Sequence, residues 1–285
     1  MALFFAGWIS ISFLIIKRSL RKVRPQSFLF VTNLFTLAFM FALVVWQGFP
    51  HVLPKFFITM FFSGLLDTVA LLCAYRALRL SPVSLIAPMS SFTPLFTLIG
   101  AAIFLGETPT PLKLLGVVVI VMGSYVLNIQ DIKAGILKPF KKLFAQKGVR
   151  LYLLSNLLWS ITPLLQKKAI SLTVPDRPLF ASFVGLIFTT ILILPFVLAS
   201  RKRHIKVIIK GNFGWLLLIG LGGTLAQLAA FTAFTLTNLG YVSAVMNMSV
   251  LFSVLLGALF FNEDHVGERL AGAGIMIAGA ILLLV

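Results

Sequence analysis

Only seven of the 285 residues are acidic, against 24 Lys and Arg, and one of the seven stands where an acid is costly. Asp67 lies twelve residues into the apolar run 55–79. That is near the centre of any bilayer the run crosses, where an acid costs at least about 2.5–3.5 kcal/mol on insertion scales. A carboxyl kept at that cost can carry a proton, ligate a cation or contact a substrate. The structural alternative is a permanently protonated or ion-paired Asp. Arg76 and Lys55 are each more than two helical turns away, so neither is a convenient intrahelical partner. Asp67 is therefore the expected proton-coupling group and the first candidate substrate contact.

Other polar side chains recur at comparable depth. Trp8, Tyr75, Ser90, Ser91, Asn156, Trp159, Gln166, Gln227 and Asn247 are the residues expected to line a substrate cavity with Asp67. Buried hydroxyls such as Ser63, Thr68, Thr93, Thr162, Thr224, Ser249 and Ser253 more often bond helix to helix. Trp8 and Trp159 fall several residues inside their apolar runs, so they serve equally as pocket walls or interfacial anchors. Glu107 and Glu263 fall between apolar runs, where a carboxylate favours the positive N-terminus of the helix that follows.

Enzyme chemistry finds nothing to use. His51, His204 and His265 fall in loops without Cys or carboxylate at ligand spacing. There is no glycine-rich phosphate loop, no Gly-x-Ser-x-Gly elbow and no carboxylate pair at membrane depth. No cofactor and no metal is expected.

The elements that must position these residues follow from composition. The chain is 60% apolar and 11% charged, with a mean hydropathy of +1.07. A soluble domain is nearer half apolar and a quarter charged. A lone cysteine, Cys73, excludes a disulfide scaffold. Apolar runs and their breakers predict an all-α integral membrane protein of ten transmembrane helices, at about 1–18, 27–47, 55–79, 82–105, 111–129, 150–170, 179–199, 212–236, 239–261 and 267–285. The first run lacks a basic flank before it and a cleavage site after it, so it reads as a span rather than a signal peptide. The polar stretch near the midpoint includes 132–144, which could lie as an amphipathic helix on the membrane surface.

Basic residues cluster between the apolar runs, which reads as contact with lipid head groups rather than nucleic acid. Loops after odd-numbered spans hold 19 Lys and Arg; those after even-numbered spans hold 5. By the positive-inside rule the 19-charge side is cytoplasmic and both termini lie outside.

Sliding the chain against itself by 156 residues aligns 64–127 with 220–283 without a gap, at 17 of 64 positions. The matches include Gly64/Gly220, Thr68/Thr224, Glu107/Glu263, Gly116/Gly272 and Gly123/Gly279. Trp8 and Trp159 stand in comparable places, with Lys17 and Lys168 nine residues later. Five spans per copy is odd, so consecutive copies enter the membrane in opposite senses: two inverted five-helix repeats, 1–130 and 150–285, joined by a basic cytoplasmic linker 131–149. Inverted repeats place a substrate site near the midplane between the halves.

At residues 77–107 (ALRLSPVSLIAPMSSFTPLFTLIGAAIFLGE), at their echo in 234–263, and at 157–170 (LLWSITPLLQKKAI), the chain resembles the drug/metabolite transporter superfamily. More narrowly, it resembles ten-helix members built from two EamA-type repeats. The resemblance covers essentially the whole chain. It implies transport as a class, export as the commoner direction, and cytoplasmic termini, opposite to the charge count. The ninth span departs from the fourth, with Ala244 and Val250 where Pro88 and Pro94 stand.

The expectation is a multi-pass cell (plasma or inner) membrane carrier working by alternating access, driven by an ion gradient or exchange. Its cargo would be a small neutral or zwitterionic metabolite such as an amino acid. The expected partners are substrate, lipid and protons, in a monomer or homodimer. The alternative is a flippase or efflux carrier for lipids or amphipathic drugs.

Overall fold

A computed structural model describes residues 2–20, 23–93, 95–96, 99, 110–126, 138–199, 203–236, 249–261 and 266–283. Its α-helices are α1 (Ala2–Leu20), α2 (Pro25–Gln47), α3 (Phe56–Leu80), α4 (Val83–Ile86), α5 (Pro111–Val126), α6 (Lys138–Ala145), α7 (Lys147–Trp159), α8 (Thr162–Ile170), α9 (Pro178–Leu198), α10 (Arg203–Leu236), α11 (Ser249–Phe261) and α12 (Val266–Leu282). Three of them begin on a proline, whose fixed φ suits the first helical position and whose missing N–H is not needed there. Gly48, at φ +80°, ends α2 in a conformation that side chains with a Cβ rarely adopt.

The exterior is not that of a water-soluble protein. Trp46 is 82% exposed and Leu259 74%, while Asn156, 1% exposed, joins a mostly apolar interior. Apolar side chains over so much of the outside suit lipid as the solvent. Among the described residues, four stretches are long and apolar enough to cross a bilayer: Pro25–Gln47, Phe56–Leu80, Pro178–Leu198 and Phe213–Ala233. The chain is a helical membrane protein.

Several boundaries differ from the sequence-based expectation for physical reasons. The span at 150–170 is two helices, α7 and α8, separated by a turn at Ser160–Ile161. Pro163 has no N–H to return to the Trp159 carbonyl, and the Leu164 N–H closes on Ile161 O instead, at 3.1 Å. The fourth span starts as α4 and then tightens into a 3₁₀ segment, Ala87–Phe92. Residue 94 is proline and offers no N–H to Ser90 O; the Thr93 N–H takes that acceptor. The helix of the eighth expected span begins at Arg203, while its membrane-crossing stretch, Phe213–Ala233, falls where expected. The short helix expected near 132–144 is α6, with Leu143 fully buried and Lys141 exposed.

Packing is by close backbone approach. A Cβ at Gly116 would meet Gly279 O at 2.8 Å, and one at Gly123 would meet Gly272 O at 2.8 Å. The low-numbered end of α5 thus meets the high-numbered end of α12, and the two run antiparallel. Elsewhere α3 packs on α7 and α9, α2 on α10 and α9, and α1 on α11 and α10. Gly64 admits Phe188, and Gly220 admits Phe35. Two short strands, β1 (His51–Val52) and β2 (Thr173–Val174), pair antiparallel, His51 opposite Val174. The connections α2–α3 and α8–α9 therefore share one end of the bundle.

Candidate functional site

Thr68 donates its hydroxyl proton to Gly64 O at 2.6 Å, one turn back along α3. That leaves Asp67, its neighbour in the chain, facing a cavity of about 470 Å³ enclosed by α1, α3, α7 to α11 and the 3₁₀ segment. Asp67 is half-buried, with protein on one side and the cavity on the other. Gln166 Nε2 donates to Asp67 Oδ2 at 3.1 Å. Thr162 and Trp159 are within hydrogen-bonding reach of the same carboxyl. These three flank the break between α7 and α8, so the interruption brings donors from both half-helices onto one acid. The first turn of α8, which carries Thr162 and Pro163, also lies on this wall.

The opposite wall depends on the 3₁₀ segment. Within the 3₁₀ segment the Met89 carbonyl takes the Phe92 N–H, and Asn156 Nδ2 donates to the same oxygen at 2.6 Å. Asn156 is buried, and its Oδ1 has no partner. Trp159 meets Tyr152 edge-on, with ring centroids 6.3 Å apart, and both line the cavity with Phe231. Asp67 is the one carboxylate among the described lining residues, which include no Lys, Arg or His.

Of the residues expected from sequence, Asp67, Ser90, Asn156, Trp159, Gln166 and Gln227 lie on the cavity wall. Tyr75, Ser91 and Trp8 are not among the lining residues. Tyr75 packs into the apolar core with its hydroxyl toward Thr32. Ser91 is fully buried, and the Trp8 indole lies against Gly222. Asn247, Glu107 and Glu263 lie outside the described residues. The sequence reading missed α9, the seventh expected span: Ser182, Gly185 and Thr189 line the cavity, as does Ser12 of α1. The spacing of 182, 185 and 189 puts them on one helical face, a signal present in the sequence. Among the described residues no cluster of His, Cys, Asp or Glu could hold a metal.

The signature of the EamA-like transporter family matches residues 1–129 and again 146–285. No curated protein matches the chain. Among solved structures, one described as "Crystal structure of protein" superposes with a TM-score of 0.65 at 16% identity, over 99% of this chain and 95% of that one. At that identity the likeness is one of fold. Two family matches covering nearly the whole chain are decisive: it belongs to the EamA-like transporter family of the drug/metabolite transporter superfamily, and is a membrane transporter rather than an enzyme.

Proposed function

We propose that the chain is a secondary carrier that exports a small metabolite, an amino acid or a related neutral or zwitterionic compound, across the cell membrane by alternating access. The observation that carries this reading is the cavity lined by helices from both ends of the chain, its wall mostly apolar but carrying Asp67 and a set of polar side chains. In this reading ten spans form two inverted five-helix units, 1–130 and 150–285, with 131–149 as the basic linker. The α5–α12 contact supports it. Gly116 and Gly123 pair in sequence with Gly272 and Gly279, yet the contacts are Gly116 to Gly279 and Gly123 to Gly272. A two-fold exchange of the halves maps each contact onto the other, and only antiparallel partners allow that. The β1–β2 pairing agrees, since an even number of crossings then separates 51 from 174.

Transport energy comes from an ion gradient or substrate exchange, with Asp67 as the proton carrier. Its donors Gln166, Thr162 and Trp159 stabilise the ionised acid, and protonation removes the charge they hold. The turn at Ser160–Ile161 is where α8 can then move relative to α7, which is how broken helices serve many carriers. The test is proton-gradient-driven flux in proteoliposomes, wild type against Asp67→Asn. The variant is expected to lose gradient-driven flux while keeping its fold. Full gradient-driven flux in the variant overturns the proton role.

A further inference from the structure

The cavity wall has already spent most of its protons. Ser90 Oγ donates to Ala87 O at 2.8 Å, and Thr189 Oγ1 to Gly185 O at 3.0 Å. Ser182 Oγ donates to Leu179 O at 3.4 Å, and Ser253 Oγ to Ser10 Oγ at 3.1 Å. Asn156 Nδ2 is held by Met89 O, and Gln166 Nε2 by Asp67. These side chains present lone pairs to the cavity. The Asp67 carboxylate, ringed by Thr162, Gln166, Trp159 and Ser63, is the charged acceptor on this wall.

A carboxylate-bearing cargo finds the reverse. The described lining holds no Lys, Arg or His. Residues 94–106 and 237–248, next to the lining segments of the fourth and ninth spans, contain none either. An anion brought here would lose its water without gaining a cation, and would face Asp67.

We infer that the cargo is a protonated amine without a free carboxylate, its ammonium on Asp67 and its apolar body against Trp159, Tyr152 and Phe231. The inference rests on the carrier reading and narrows it, selecting amines and carboxyl-masked compounds from the amino-acid-like class. An ammonium has three donors and no acceptor, the complement of this wall, and the indole and phenol faces favour a cation beside them.

The experiment uses two matched sets of probes on the purified full chain. One is phenylethylamine, phenylalanine and 3-phenylpropionate; the other is pentylamine, norleucine and hexanoate. Within each set the body is nearly constant and the charge pattern changes. Binding is read as thermal stabilisation, since a ligand that prefers the folded state raises its melting temperature. The amines are expected to bind at least tenfold more tightly than the zwitterions, and the acids to give no shift. Asp67→Asn is expected to weaken amine binding at least tenfold. Because the series is run on wild type, the result stands even if that variant fails to fold. Zwitterions or acids binding as tightly as amines overturn the inference, and so does an absence of shift from every probe. Norleucine moved by a proton gradient in proteoliposomes, with pentylamine left behind, refutes the amine cargo and leaves the carrier intact.

Discussion

The sharpest test of the site's construction is Asn156→Ala. Asn156 Nδ2 bonds Met89 O at 2.6 Å, as the second donor on a carbonyl that also takes the Phe92 N–H inside the 3₁₀ segment. Truncation removes that bond between α7 and the 3₁₀ segment, and a hydrogen bond contributes about 0.5–1.5 kcal/mol in a protein. Bonds between membrane helices average nearer 0.6 kcal/mol because the reference state finds other partners. Asn156 Oδ1 is unpartnered in the parent, so its removal costs nothing comparable. The expected loss is about 1 kcal/mol, measured by equilibrium unfolding in mixed micelles. Asn156→Leu keeps the side-chain volume without the donor and should lose about as much. Full stability in Asn156→Leu beside a loss in Asn156→Ala would refute the reasoning, because Asn156 would then stabilise through packing alone.

Three further outcomes follow from the same geometry. In a Cys73→Ser background, His51→Cys with Val174→Cys should form a disulfide on mild oxidation, since antiparallel partners have Cα atoms about 4.5–5.5 Å apart; failure to crosslink would unseat the β1–β2 pairing. Gly279→Ala should lose about 1–3 kcal/mol, because its Cβ meets Ile120 N at 2.7 Å and Gly116 O at 2.8 Å, both backbone. Gly274→Ala, with nothing within 4 Å, should be neutral or slightly stabilising, and the two melting temperatures distinguish the cases. Amine stabilisation should weaken as pH falls, because proton and ammonium compete for Asp67. Tyr152 is the other ionisable side chain on the described wall and is already neutral there. A pH-independent amine shift in wild type would remove Asp67 from the binding reaction.

Legibility in the sequence followed from how many solvents a residue had to answer to. Asp67 was visible because an acid amid apolar neighbours conflicts with lipid and core alike. Paired glycines were visible because close helix approach tolerates little else. The facing of Tyr75 was not visible: α3 is apolar toward lipid and core both, so periodicity does not say which way a tyrosine turns, and it turned inward. Trp8 went to Gly222 for a related reason, since a flat indole fits a bare backbone better than a cavity edge. Pro163 did signal the broken sixth span, but a proline is also tolerated in a kinked continuous helix. The Leu164 N–H closing on Ile161 distinguishes the two outcomes.

The two halves share their glycine contacts but differ at the chemistry. Where α3 carries Asp67, the aligned position in α10 is Gly223, and a Cβ there would meet Thr36 Oγ1 at 3.1 Å. Trp159 stands by the acid, whereas Trp8 stands by Gly222. The α3 position holds charge and donors, the aligned α10 position bare backbone and an aromatic ring. The α8 half-helix, which carries Gln166, lies on the charged side. In the proposed carrier, this asymmetry would orient a ligand with one cationic end and one apolar end. Protonation of Asp67 would there act first on the junction Ser160–Ile161, where the helix beside the acid is already broken.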